Sequence, residues 1–279
     1  MVDPSIEHWI VVPHDDQSLF RPLHNHRRRI LSHRDLLPGW VKVPMPGPVW
    51  RRRLGLPRRD VFLTRFSLPV RGWIMQQVLK LATALASDAD IAIHADSDNS
   101  FIRPLRLDDF VRGEKVRLFR EPDRVDLDTH DRWHAVANQL FGLPTGTPHA
   151  GDYIDPLVSW RRSVVQQMVD RLQHLSGAPW QTTLARTPHF AEYILYGVFA
   201  ETVLGLEAAG LFVDTRSLCH VQWTGTLQNA AEERAFLAAI RPHHIACQLQ
   251  STIDVSPEGR RRLYDAVCAV AREQDTAMA

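Results

Sequence analysis

The sequence predicts an α/β fold, a mixed and mostly parallel sheet flanked by helices. Short apolar runs such as Trp9-Ile-Val-Val-Pro13 and Ile91-Ala-Ile-His-Ala95 have the length of buried strands. Between them, Gly72 to Ala86 repeats Ile74, Val78, Leu81 and Leu85 at the three- and four-residue spacing of an amphipathic helix. A strand, helix, strand succession needs a crossover and so favours parallel pairing under helical cover. With 279 residues, 44% of them apolar and 23% charged, the chain can bury a sizeable core and is read as one domain, 1–279, in two halves, 1–110 and 111–279.

Taken in order, Trp9 to Pro13 reads as a buried first strand that opens into the polar His14-Asp15-Asp16. Arg21 to Arg71 is rich in Pro, Gly and Arg, and its weak periodicity at Val41 and at Val61 to Phe66 predicts short strands between loops. The helix over 72–86 carries Gln76, Gln77, Lys80 and Thr83 on the face opposite its apolar stripe. Glu121 to Thr147, full of Asp, Pro and Gly, reads as a long loop or insertion. Helices are expected over Pro156–Leu175, Phe190–Ala209, Ala230–Ile240 and Pro257–Arg272, and extended segments over Leu211–Asp214 and His243–Gln250.

Composition excludes some functions. A formal charge of +1 is too small a surplus for a general polyanion binder, so nucleic acid is not an expected partner. The stretches Arg27–Arg29, Arg51–Arg53 and Arg58-Arg59 then read as solvated basic surface or as a hold on a diphosphate. Arg71, beside Gly72-Trp73, and Arg103 are the better single phosphate candidates. Three cysteines without CxxC spacing suggest neither a disulfide framework nor a thiolate zinc site. Acidic residues near the start and the lack of an apolar run of about 18 residues predict no membrane span and a cytoplasmic location.

The chemistry centres on Asp96-Ser97-Asp98, directly after the Ile91–Ala95 strand, where open α/β sheets place their ligands. If the strand stays extended, alternation projects His94, Asp96 and Asp98 to one side, and two carboxylates converge. Such a pair suits Mg²⁺ or Mn²⁺ bridging to phosphate oxygens. Acidic residues in turns after strands are also common caps, so the motif alone does not decide. Gln76 and Lys80, four residues apart, can reach one ligand together, and a solvated helix face is the alternative.

At these residues a family resemblance enters. Gly72-Trp73, Gln76-Gln77-Val78-Leu79-Lys80-Leu81, His94-Ala-Asp-Ser-Asp98 and Phe101-Ile-Arg-Pro104 resemble bacterial glycosyltransferase-like proteins of the GT-A fold. Gly151-Asp-Tyr-Ile-Asp-Pro156 with Trp160 is similar to that family's acceptor-side loop, and Phe190-Ala-Glu-Tyr193 with Tyr196-Gly197 to its acidic helix start, so the likeness spans roughly residues 9–250. The resemblance implies a GT-A-like, Rossmann-type sheet, with a nucleotide-binding half at 1–110 and an acceptor-binding half at 111–279. It further implies that Asp96 lies near ribose or metal, that Asp98 is a metal ligand and that Glu192 is the catalytic carboxylate. It implies that His220, in competition with His243 or His244, completes the metal shell. Asp152 and Tyr153 would line the acceptor pocket or simply shape their loop. The sequence departs from the commoner Ser-Glu pairing at Ala191, which leaves the helix start before Glu192 without a side-chain cap.

Inverting glycosyl transfer needs a carboxylate for the acceptor proton and a cation at the leaving diphosphate, two jobs for separate acids. A first-turn carboxylate favoured by the helix dipole is the bland alternative for Glu192. The expectation is therefore a metal-dependent transferase that moves a sugar from a nucleotide-sugar donor to a small-molecule or glycan hydroxyl. Lys80 would neutralise the diphosphate, and Gln76 and Arg71 would assist in donor binding. A nucleotidyltransferase and a non-enzymatic nucleotide- or nucleic-acid-binding module are the rivals.

Overall fold

The computed structural model describes residues 3–46, 48–53, 55, 60–64, 67, 69–122, 128–227 and 229–278. Arg58 and Arg59, and the end of the strand expected to reach Phe66, lie outside the described residues. The strands are β1 (His8–Val12), β2 (Arg28–Ser32), β3 (Val41–Lys42), β4 (Val61–Leu63), β5 (Val70–Arg71), β6 (Ile91–Ala95), β7 (Asn99–Phe101), β8 (Val111–Arg112), β9 (Lys115–Phe119), β10 (Leu157–Arg161), β11 (Leu211–Asp214), β12 (Cys219–Gln222) and β13 (Ala246–Leu249). The helices are α1 (Gln17–Phe20), α2 (His33–Leu36), α3 (Pro48–Arg53), α4 (Gly72–Ala86), α5 (Asp128–Phe141), α6 (Arg162–Ser176), α7 (Trp180–Ala185), α8 (Glu192–Val198), α9 (Leu206–Ala209), α10 (Ala230–Ala238) and α11 (Pro257–Met278). Among the described residues no helix is long and apolar enough to cross a membrane.

The architecture is mixed α/β, but the strands pair in several small sheets rather than in one mostly parallel sheet. β1 with β2, β9 with β11 and β12 with β13 run parallel. The pairs β6 with β10, β7 with β13, β8 with β9, and β4 with both β3 and β5, run antiparallel. Periodicity marks a segment as a strand without naming its partner, which is why the pairing departs from expectation. The first strand, expected to be buried, is half-exposed and pairs only with β2.

Two segments differ in type. Leu157–Arg161, expected to open a helix, is a strand buried on both faces; Ser159 Oγ also donates to the Arg117 carbonyl of β9 across 2.7 Å. Helix α6 begins only at Arg162, and no Pro or Gly marks the change. Within the expected loop 121–147, α5 forms because Trp133, Val136, Ala137, Leu140 and Phe141 recur at helical spacing and pack into the main core. Helix α8 stops at Val198, widens into a π-turn over Phe199–Leu204 and ends at Gly205, whose φ of +80° suits glycine.

That main core extends from Leu37 to Leu211 and crosses the boundary expected near residue 110. Val78 and Leu81 of α4 are fully buried in it, together with Trp160, Tyr193 and Tyr196. Smaller clusters seat α10 and α11 on β13, and Phe110 and Leu157 beside Leu218.

Candidate functional site

On the polar face of α4, Gln77 and Lys80 turn inward, while Gln76 stays at the surface. Lys80 Nζ lies 3.0 Å from Asp96 Oδ1, 2.9 Å from Glu192 Oε1 and 2.5 Å from the Tyr193 hydroxyl, and 4.3 Å from the centre of the Tyr193 ring. An ammonium has three N–H donors, and here three acceptors meet them. Burial works against the charge on Lys80, but Glu192, Tyr193 and Asp96 outweigh it and hold its pKa well above the usual value. Burial likewise pushes the Tyr193 phenol up, so it stays protonated.

Three segments build this centre: the third turn of α4, the end of β6 and the first turn of α8. Ala191 supplies no cap to α8, as the sequence implied. Gln77 replaces it from α4, its Oε1 accepting from the Glu192 backbone N–H at 3.0 Å. Gln77, expected on the face opposite the apolar stripe, is 2% exposed. Trp160 of β10 forms the floor, with ring centres 5.8 Å from Tyr193, 5.4 Å from Tyr196 and 4.3 Å from His94. Burial and the nearby Lys80 charge lower the His94 pKa to about 3, so a neutral imidazole sits behind the cation. The Glu192 side chain is 6% exposed, and its Oε2 accepts no hydrogen bond from the described residues.

The two aspartates do not project side by side. β6 ends at Ala95, and the Asn99 N–H donates to the Asp96 carbonyl, closing a turn that breaks the alternation. Asp96 reaches Lys80, whereas Asp98 accepts from Gln248 Nε2 at 2.5 Å and from the Ser251 N–H at 3.1 Å. Tyr264 also donates to the Asp98 carbonyl. The two carboxylates are therefore engaged by separate partners and do not converge on one point. Among the described residues no three His, Cys, Asp or Glu groups are arranged to hold a metal.

His220 is placed elsewhere. It lies on strand β12, its Nε2 paired with the Phe236 carbonyl of α10 at 2.9 Å and its ring against Phe236 and His244. His244 accepts from the Arg241 N–H, and His243 stands edge-on to it. Arg103, a phosphate candidate, is consumed by α11: it donates to Asp275, Gln274 and the carbonyls of Arg241, His244 and Ala271. Arg71 and Gln76 are exposed, with no side-chain hydrogen bond among the described residues.

The Asp152–Tyr153 loop forms a second polar group. Gly151 lies so close to β9's continuation that a Cβ there would come within 2.6 Å of the Glu121 carbonyl, and Gly197 of α8 leaves the space that the Tyr153 ring fills. Tyr153 donates to Glu201 Oε2 at 2.7 Å, and Glu201 pairs with Arg120. Asp152, 5% exposed, bonds the Nδ1 of His130 on α5. His130 packs on Trp133, and Trp133 on Trp73 at the start of α4. Sequence reasoning missed Gln77, Tyr193, His130 and Trp133. Tyr193 adjoins Glu192 within the quoted motif, while His130 and Trp133 were hidden in the segment expected to be a loop.

A separate buried cluster surrounds Arg117, which is fully buried. Its Nε lies 3.4 Å from Asp214 Oδ2, while its Nη1 has no partner. Asp155 accepts from Ser217 Oγ at 2.6 Å through Oδ1, and its buried Oδ2 is also unpartnered. Burial pushes its pKa up to about 7.

The profile of a family described as of unknown function, DUF6492, matches residues 2–266. No curated protein matches the chain.

Proposed function

We propose, for a chain that belongs to the DUF6492 family, a metal-dependent glycosyltransferase of GT-A-like architecture that moves a sugar from a nucleotide-sugar donor to an acceptor hydroxyl with inversion. The observation that carries the proposal is the Lys80 centre, which joins α4, the acidic turn after β6 and the acidic start of α8 in one buried group. These are the three segments in which the resemblance to glycosyltransferases is densest.

Glu192 is the proton acceptor. Lys80 and Gln77 fix its Oε1 and its backbone, and Oε2 remains for an acceptor hydroxyl. Lys80 holds the carboxylate in place, so that Oε2 can take the proton as the bond to the sugar forms. With its three donors engaged, Lys80 acts by positioning Asp96 and Glu192 rather than by neutralising the diphosphate alone. Asp96 and Asp98 would hold a divalent cation, Mn²⁺ or Mg²⁺, which when bound supplies positive charge to the leaving diphosphate. Exposed Arg71 and Gln76 supply donor contacts. Asp152 and Tyr153 shape the acceptor side through His130 and Glu201.

A nucleotidyltransferase also needs paired acids, but a buried base held by a lysine is a feature of hydroxyl activation. The test is to supply nucleotide sugars and nucleoside triphosphates with Mn²⁺ and identify the released product. Nucleoside diphosphate supports transfer of a sugar; pyrophosphate would contradict it.

A further inference from the structure

We propose that Trp73, Trp133 and His130 form a subsite for a second sugar ring, so that the acceptor is a glycan of at least two rings. The inference rests on the glycosyl-transfer reading and extends it along α4. Trp73 and Trp133 are half-buried, with ring centres 5.5 Å apart and a tilt of 31°. Indoles that remain partly open offer an apolar, electron-rich face, to which the C–H face of a pyranose is complementary. The ring centre of His130 lies 4.7 Å from that of Trp133. Its Nδ1 is held by the buried Asp152, and its Nε2 has no partner among the described residues. A carboxylate behind an imidazole fixes the tautomer and leaves Nε2 as the acceptor for a sugar hydroxyl. An aromatic wall beside an oriented hydrogen-bonding group is the chemistry that recognises a polyol with one apolar face.

Position supplies the ring count. Trp73 precedes Lys80 by two helical turns on α4, which separates them by about 10 Å along the axis. A ring whose hydroxyl is at Glu192 cannot also cover Trp73, whereas the next ring of a chain can. The alternative roles are a platform for the donor's base and a purely structural brace between α4 and α5.

The experiment uses the Glu192→Gln protein, which retains the site and does not consume substrate. Mono-, di- and trisaccharide methyl glycosides are compared by saturation-transfer NMR, with the nucleoside diphosphates bound in parallel. Disaccharides should bind more tightly than monosaccharides. Adding Trp133→Ala should remove that advantage, about tenfold, the loss expected for one stacked ring. His130→Gln should weaken it less, and nucleotide affinity should be unchanged in both. Length-independent saccharide binding, or nucleotide binding without any saccharide binding, overturns the subsite and leaves the transferase reading standing. A loss of nucleotide affinity in Trp133→Ala assigns the rings to the donor and also overturns it. A protein that binds neither class contradicts both readings.

Discussion

The molecule contains two buried charge clusters, and they are satisfied to different degrees. Around Lys80 each ammonium proton has an acceptor, and among the described residues the carboxylate oxygens left without a hydrogen bond are Glu192 Oε2 and Asp96 Oδ2. Around Arg117 the loose ends are a guanidinium nitrogen and Asp155 Oδ2, both fully buried. A buried ion cluster stabilises little unless its geometry is complete, so completeness separates a preorganised centre from a structural one. In the Lys80 centre one spare acceptor, Glu192 Oε2, belongs to the residue that would receive a proton. In the Arg117 centre burial raises the pKa of the residue that bears the spare acceptor to about 7, so that carboxyl holds its proton well above the ordinary carboxylate range.

The largest difference between the clusters should appear in rate. Glu192→Gln is expected to lower sugar transfer by ~10²- to 10⁴-fold, the contribution of a general base, with donor affinity nearly unchanged. Asp155→Asn should leave turnover of the same order. Equal losses in the two variants would erase the distinction.

A smaller effect is expected on stability. Lys80→Met leaves Glu192 buried without its cation and should cost about 3 kcal/mol in urea denaturation. Adding Glu192→Gln should restore a good part of that loss, because the two residues share one interaction. Strict additivity of the two changes would show that Lys80 does not hold Glu192.

A further effect concerns pH. The pKa of Asp155 in the folded protein, about 7, exceeds its ordinary 3.8, so the native state keeps a proton that the unfolded chain has released. Its contribution to stability therefore falls as pH rises from about 4 to about 7. The buried histidines act in the opposite sense, since His94 and His134 are held down to about 3 and about 4 by burial and must charge on unfolding below their ordinary 6.5. Asp155→Asn keeps those histidines, so the difference between its stability and that of the wild type should grow as pH rises through that window. A constant difference would mean that Asp155 ionises normally in the fold.

Much of the Lys80 centre was legible in the sequence, and the reasons are local. α4 and β6 announce their limits through period and run length; Asp96 and Glu192 sit at element ends that the pattern locates, and Lys80 on the polar face of the helix it defines. Their meeting was not legible, because Lys80 and Tyr193 are 113 residues apart and spacing carries no information at that range. Gln77 was placed only on the face opposite the apolar stripe because its helix was expected to have one buried face, whereas α8 covers the other. β10 was lost because Leu157 to Arg161 runs into α6 without a breaking residue, and α5 because acidic and glycine-rich flanks masked its apolar stripe. His220 was placed by resemblance alone, and parallel pairing with β13 turns it toward α10.

The central claim is that this centre binds a nucleotide diphosphate through a cation at the acidic turn. Thermal unfolding with nucleoside diphosphates, with and without Mn²⁺, tests it most directly, because a ligand that binds only the native state raises the midpoint. The account predicts a rise with at least one nucleoside diphosphate that requires Mn²⁺ and disappears in Asp98→Asn, whose own midpoint stays close to that of the wild type. A midpoint that no nucleotide moves, or a rise that Asp98→Asn retains, would contradict it.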